Sequence, residues 1–164
     1  MTDANQRFWS EKRVVVTGGA SFIGSHLVDK LISLGSKVTV VDDFSSGKME
    51  NLPQSPSKLN IIKLDLEWCG SDELRDAFKD NEVIFHLAAS HGGRGYIDTH
   101  PADVCSNMAI DHHVFEASVK SNTEQIVSAS SACVYPPKLQ ENQDSEYLLK
   151  ESDTDVSRLD EYLW

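Results

Sequence analysis

Five short apolar runs, each rich in β-branched residues and each followed by glycine or polar residues, constrain this chain more than any other feature. They are "RVVVTG" (13–18), "KVTVVD" (37–42), "NIIKLDL" (60–66), "EVIFHLAA" (82–89) and "EQIVSASS" (124–131), and all read as strands. Helix-like stretches lie between them. Residues 22–34 put Ile23, Leu27, Leu31 and Leu34 on one face, and Gly35 stops that helix. "SDELRDAF" (71–78) opens on Ser71 as a candidate cap and turns Leu74, Ala77 and Phe78 inward. Pro101 fits the first turn of a helix running to about Lys120. Residues 44–58 contain two prolines and read as a loop.

Strand–helix alternation with short connections implies parallel strands joined by right-handed crossovers. Runs that are apolar throughout suit a sheet covered by helices on both faces. The expected fold is therefore α/β, a Rossmann-type doubly wound parallel sheet of five strands. Residues 138–158 are polar and without period, and they read as a long mobile loop inside a single 164-residue domain.

Charge and cysteine usage narrow the function classes. A net charge of −11 argues against a nucleic-acid or anionic-membrane surface, and no apolar run is long enough to span a bilayer. The start, "MTDANQRFWSEK", has no apolar core of a signal peptide. Cys69, Cys105 and Cys133 are odd in number and far apart, which suggests neither a disulfide framework nor a zinc pair. A cytoplasmic protein without a metal is expected. His86 reads as a packed strand histidine, and His112 and His113 are adjacent on a helix and so do not share a face.

The residues that carry chemistry cluster after the strands. In "TGGASFIG", Gly18 can make the tight turn, and Gly24 can let the helix pack close to the sheet. The backbone amides at the helix start suit a diphosphate. Ser21 takes the middle glycine position of G-x-x-G-x-x-G and stands where a helix cap is favoured, provided its φ is negative. Asp42 ends the second strand, where a carboxylate can accept both hydroxyls of an adenosine ribose and repel a 2′-phosphate. With no arginine nearby, NAD is favoured over NADP. Asp65 can meet an adenine amino group or serve as a solvated capping residue. The small residues of "HLAAS" let backbone run close to a flat cofactor.

T-G-G-x-x-F-I-G, an aspartate after strand two, D-L after strand three, H-L-A-A after strand four and "SSACVY" after strand five occur here in order. Together they resemble the extended short-chain dehydrogenase/reductase family, the NAD-dependent nucleotide-sugar epimerases and dehydratases. Within it, "GGRGYI" (92–97) and "SSAC" (130–133) look most like the GDP-mannose 3,5-epimerases and their relatives.

The resemblance implies NAD as cofactor, held by Gly18, Ser21, Phe22, Ile23, Gly24, Asp42, Asp65, Leu66, Leu87, Ala88 and Ala89. It implies a UDP- or GDP-sugar as substrate. Ser131 then corresponds to the serine that hydrogen-bonds the sugar hydroxyl, and Tyr162 to the tyrosine that takes its proton. Cys133 matches a proton-transferring cysteine, or is simply a small residue at a strand end. His91, Gly93 and Arg94 contact substrate or form a solvated glycine loop. Asn107 matches an asparagine that supports the tyrosine region. A free tyrosine has a pKa near about 10 and needs a nearby cation to act as a base. The family's lysine would fall at position 166, past Trp164.

Members of that family are roughly twice this length, so the C-terminal substrate-binding portion is expected to be absent and the chain to be inactive alone. A homodimer, or a second polypeptide that completes the site, is a possible partner. A non-catalytic NAD-binding module is the alternative, and so is a dehydratase or decarboxylase, although Ala132 and Cys133 beside Ser131 favour epimerisation.

Overall fold

The computed structural model describes residues 3–54, 57–92, 94–131, 134–136, 139 and 147–154. Two compact units are present, residues 1–128 and 129–164. The first contains α1 (Asp3–Trp9), β1 (Arg13–Thr17), α2 (Phe22–Ser33), β2 (Lys37–Asp42) and β3 (Leu59–Lys63). These are followed by α3 (Ser71–Phe78), β4 (Val83–His86), α4 (Arg94–Thr99), α5 (Pro101–Cys105), α6 (Asn107–Lys120) and β5 (Gln125–Ser128).

The five strands form one parallel sheet in the order β3-β2-β1-β4-β5. Alternate residues of β1 show why both faces are apolar. Val14 and Val16 pack with Val28 and Leu31 of α2, whereas Val15 packs with Leu74 and Phe78 of α3 and Val114 of α6. Phe78 is fully buried, which contributes roughly 1.5–3 kcal/mol over leaving it in water. The α/β, doubly wound reading holds. The edge strands depart from the all-apolar expectation, because Asn60, Lys63 and Gln125 are exposed.

The strand order places the site. The chain steps outward from β1 to β2 to β3, then crosses back to β4 beside β1 and steps outward to β5. Neighbouring connections diverge at the carboxyl ends of β1 and β4, which leaves a crevice there.

Several boundaries differ from the sequence reading. β3 ends at Lys63 and β4 at His86, because the apolar residues beyond them turn away to line the crevice. β5 spans 125–128 only. Ser71 is the first helical residue of α3, and Gly70 occupies the cap position. The helix expected from Pro101 to Lys120 is two helices, broken at Ser106. Helices α1 and α4 fall where no helix was expected. In the second unit, residues 147–154 of the expected 138–158 loop include a 3-10 turn, Glu151–Asp153. The phenol of Tyr147 donates to the Asp153 carboxylate there, at 2.8 and 2.9 Å to its two oxygens. Among the described residues no helix is long and apolar enough to cross a membrane.

Candidate functional site

The crevice is a cleft of about 200 Å³, lined from the carboxyl ends of four strands. Gly18 comes from the turn after β1, Asp42 from β2, Asp65 and Leu66 from the turn after β3, and Leu87, Ala88, Ala89 and His91 from the segment after β4. Ser21 lines it from the start of α2.

Two glycines let this geometry close. Gly18 has φ +67°, and a Cβ there would lie 2.9 Å from the Ala88 backbone nitrogen, so the β4 segment packs directly on the turn. A Cβ on Gly24 would lie 2.1 Å from the Gly18 carbonyl oxygen. The close approach at Gly24 is thus between helix and turn.

Ser21 is the residue before α2, with φ −77°, so it carries no left-handed strain. Its hydroxyl does not cap the helix. It donates to the Gly18 carbonyl oxygen at 2.6 Å instead, the same oxygen that accepts the Ser21 amide at 3.2 Å. The first-turn amides of Phe22, Ile23 and Gly24 have no intrahelical partner by helix geometry. The Phe22 and Ile23 residues themselves are 79% and 70% exposed, so the amino-terminal end of α2, the kind of helix end that suits an anion, is open.

Asp42 is buried, and each of its carboxylate oxygens accepts one backbone amide. Oδ2 accepts from Ala20 at 2.9 Å, and Oδ1 accepts from Phe44 at 2.8 Å. The Phe44 bond folds the following loop back over the carboxylate, with Phe44 itself at φ +63°. Gly47 completes the wrap, since a Cβ there would sit 2.8 Å from Asp42 Oδ1. A carboxylate has about four acceptor sites, so two remain for a ligand. Asp65 makes a local turn in which its Oδ1 accepts the Glu67 amide at 2.9 Å.

Helix α6 ties the loops down. His113 Nδ1 donates to the Leu66 carbonyl at 2.8 Å. Asn107 Oδ1 accepts the Ser90 amide at 2.7 Å while its Nδ2 donates to the Ser90 carbonyl at 2.8 Å. Ile110 lines the cleft directly. His86 is buried as a packed strand histidine, and burial pushes its pKa below the ordinary value while the Asp111 carboxylate opposes that shift.

The cleft lining contains four carboxylates, Asp42, Asp43, Asp65 and Glu67, and neither lysine nor arginine. It therefore favours hydroxyl and amino donors at the β2–β3 side, with anion-binding amides at the α2 side. A larger hollow of about 810 Å³ lies beside it, lined by Phe44, Gly47, Lys48, Met49, Glu50, Ile61 and Lys63. The strand ends and the glycine turn converge on the smaller cleft.

Among the expected catalytic residues, Ser131 belongs to the second unit and is exposed. Cys133, Tyr162 and Gly93 lie outside the described residues, as does the side chain of Arg94, whose backbone begins α4. His91 is exposed, with Nδ1 3.4 Å from the Ala89 carbonyl. Cys69 and Cys105 are free thiols, and burial raises the pKa of Cys69. The sequence reading missed Phe44 and Gly47 as the wrap around Asp42, and His113 as a tether. A glycine five residues after the strand-ending aspartate was the available signal for that wrap.

The NAD dependent epimerase/dehydratase family model matches residues 14–158. UDP-glucose 4-epimerase of Mycolicibacterium smegmatis is 38% identical over 121 residues, covering 73% of this chain and 38% of that protein. UDP-N-acetyl-alpha-D-glucosaminuronate decarboxylase of Bacillus cytotoxicus is 29% identical over 140 residues, covering 84% of this chain and 43% of that protein. The crystal structure of Thermus thermophilus UDP-glucose 4-epimerase in complex with NAD superposes with a TM-score of 0.70 at 28% identity, covering 87% of this chain and 43% of that one. The chain thus spans about two-fifths of the length of these relatives. By the extent of the family match and the order of its strands and motifs, the chain belongs to the NAD dependent epimerase/dehydratase family.

Proposed function

We propose that this chain is the NAD-holding part of a nucleotide-sugar epimerase. The observation that carries the reading is the convergence of the Gly18 turn, the open start of α2, the buried Asp42 carboxylate and the Leu87–Ala89 backbone on one cleft. The residues present fit a dinucleotide. The free amides of Phe22, Ile23 and Gly24 suit its diphosphate, and the two remaining acceptor sites of Asp42 suit ribose hydroxyls. An acidic lining with neither lysine nor arginine disfavours a 2′-phosphate, which supports NAD over NADP.

NAD, when bound, would supply a reversible acceptor for the hydride that leaves a sugar carbon as its hydroxyl is oxidised to a ketone. In this reading Ser131 hydrogen-bonds the sugar hydroxyl and Tyr162 takes its proton. Cys133 moves the proton α to the resulting ketone where the reaction requires it. His91, Gly93 and Arg94 contribute to the sugar side. The named relatives act on UDP-sugars, which supports a UDP-sugar substrate. "GGRGYI" and "SSAC" support instead a GDP-sugar of the 3,5-epimerase kind. A decarboxylase is the second reading, favoured by the Bacillus cytotoxicus relative. We further propose a cytoplasmic location and a sugar pocket completed by a second copy or by further polypeptide.

Calorimetric titration of the chain with NAD and NADP tests the cofactor assignment. Saturable binding of NAD, at least tenfold tighter than NADP, is expected. A folded chain that binds neither overturns it. Incubation with UDP- and GDP-sugars, followed by separation of the products, distinguishes inverted from decarboxylated sugar.

A further inference from the structure

Three polar side chains that are distant in sequence meet behind the cleft. Thr17 and His86 are register partners at the ends of β1 and β4, and both are buried. The Thr17 hydroxyl oxygen lies 2.7 Å from His86 Nδ1, and it lies 3.2 Å from the amides of both Leu87 and Ala88. His86 Nε2 lies 3.0 Å from Oδ1 of Asp111, a residue of α6 whose side chain is 57% exposed.

With His86 neutral, the Asp111 carboxylate fixes the proton inventory, because it can only accept and so takes the Nε2 proton. A hydroxyl offers one proton and two lone pairs. Amides only donate, so the Thr17 hydroxyl accepts from Ala88, shares the Leu87 amide with the Thr17 carbonyl oxygen, also at 3.2 Å, and gives its own proton to His86 Nδ1. That nitrogen must present a lone pair, so the imidazole proton sits on Nε2 and is donated to Asp111. The same Ala88 nitrogen is the atom that a Cβ on Gly18 would strike at 2.9 Å. The relay therefore ends on the backbone that packs on the glycine turn and lines the cleft.

We propose that Asp111, His86 and Thr17 form a positioning relay for the cofactor wall, in which the tautomer of His86 orients the Thr17 hydroxyl and thereby holds the Leu87–Ala88 backbone in its NAD-binding position. This rests on the dinucleotide reading of the cleft. All three are positioning residues and act through the backbone of 87 and 88. A second proton on His86 would set a donor against Thr17, whose hydroxyl would have to turn its own proton away and give up its share of the Leu87 amide, which keeps the Thr17 carbonyl as acceptor. Asp111 is the charged group facing His86 from α6, where the Phe115 ring also packs edge-on at 6.3 Å. The register neighbours on β1 and β5, Thr17 and Ser128, are uncharged.

The test uses the full chain and two readouts, NAD affinity by calorimetry and hydrogen exchange of the Leu87 and Ala88 amides without NAD. Thr17→Val is expected to weaken NAD about tenfold and to speed exchange at the Ala88 amide, which loses its acceptor, more than at Leu87, which keeps the Thr17 carbonyl, and Thr17→Ser is expected to restore both readouts. Wild-type affinity is expected to fall on acidification below about pH 6.5 as His86, whose pKa burial lowers, charges. In Asp111→Ala, at an exposed helical position that tolerates alanine, that acid limb is expected to move to lower pH, because the carboxylate that favours the charged ring is gone. If Thr17→Val does not fold, Thr17→Ser and Asp111→Ala decide the matter, and an unmoved acid limb overturns the relay. Wild-type binding with Thr17→Val equal to it in affinity and exchange also overturns the relay alone. A folded wild type that does not bind NAD overturns the dinucleotide reading, and the relay's role in affinity with it.

Discussion

Asn107 holds Ser90 by both of its backbone polar groups, accepting the amide at 2.7 Å and donating to the carbonyl at 2.8 Å. The pair fixes the segment after β4 to the first turn of α6, the helix that also reaches His86 and the Leu66 carbonyl. Asn107→Ala removes both bonds from half-buried groups, and a loss of about 1–3 kcal/mol is expected. Urea unfolding checks it. NAD affinity should fall as well, since Ser90 adjoins the cleft wall, and an unchanged midpoint would contradict the assignment.

Gly24 gives a prediction with an internal control. Alanine there forces the turn to shift, because its Cβ would meet the Gly18 carbonyl oxygen at 2.1 Å. The expected cost is about 1–3 kcal/mol, with NAD binding weakened by tenfold or more. Gly95, in α4, has no atom within 4 Å of a built Cβ. Gly95→Ala is therefore expected to leave NAD binding alone and to stabilise the chain by about 0.5–1 kcal/mol. Thermal unfolding and calorimetry of the two variants side by side decide it.

Asp42→Asn tests the carboxylate as organiser of the loop. An amide has one acceptor oxygen, so either the Ala20 or the Phe44 amide is left facing an NH2 group. A destabilisation of about 1–3 kcal/mol is expected, together with a loss of NAD affinity greater than the stability change alone would give. A variant that keeps wild-type affinity would show that the ribose does not use this residue.

His86 predicts a pH dependence of stability. Burial holds its folded pKa below the ordinary histidine value, with the Asp111 carboxylate opposing. The unfolded chain therefore takes up the proton first. The His86 contribution is complete above about pH 6.5 and is lost as the pH falls below that value towards the folded pKa. Urea midpoints measured from neutral to mildly acid pH should decline more in the wild type than in His86→Gln. Parallel profiles would contradict the buried, neutral assignment.

Much of the fold was legible because its signals are local. β2 at 37–42 and α3 at 71–78 matched their expected spans, since a turn or polar residue bounds each apolar pattern. The ends of β3 and β4 were overextended for a physical reason. Leu64, Leu66 and Leu87 are apolar because they line a cleft or pack in the core beyond the ladder, and sequence pattern does not separate those duties. The break at Ser106 was missed because neither proline nor glycine marks it. Asp42 was expected as a ligand contact, but its two backbone partners, 22 residues before it and two after, appear only once the loop is folded. The link from Thr17 to His86 spans 69 residues, and no spacing rule reaches that far.

The Ser21 hydroxyl bonded to the Gly18 carbonyl has one more consequence. The turn is closed by its own side chain before any ligand arrives, so most of its conformational freedom is surrendered during folding. A glycine at position 21 would leave that turn looser in the free protein and move the ordering cost to the moment of association. The serine thus acts as a built-in stand-in for the order that a ligand would otherwise have to impose on the turn.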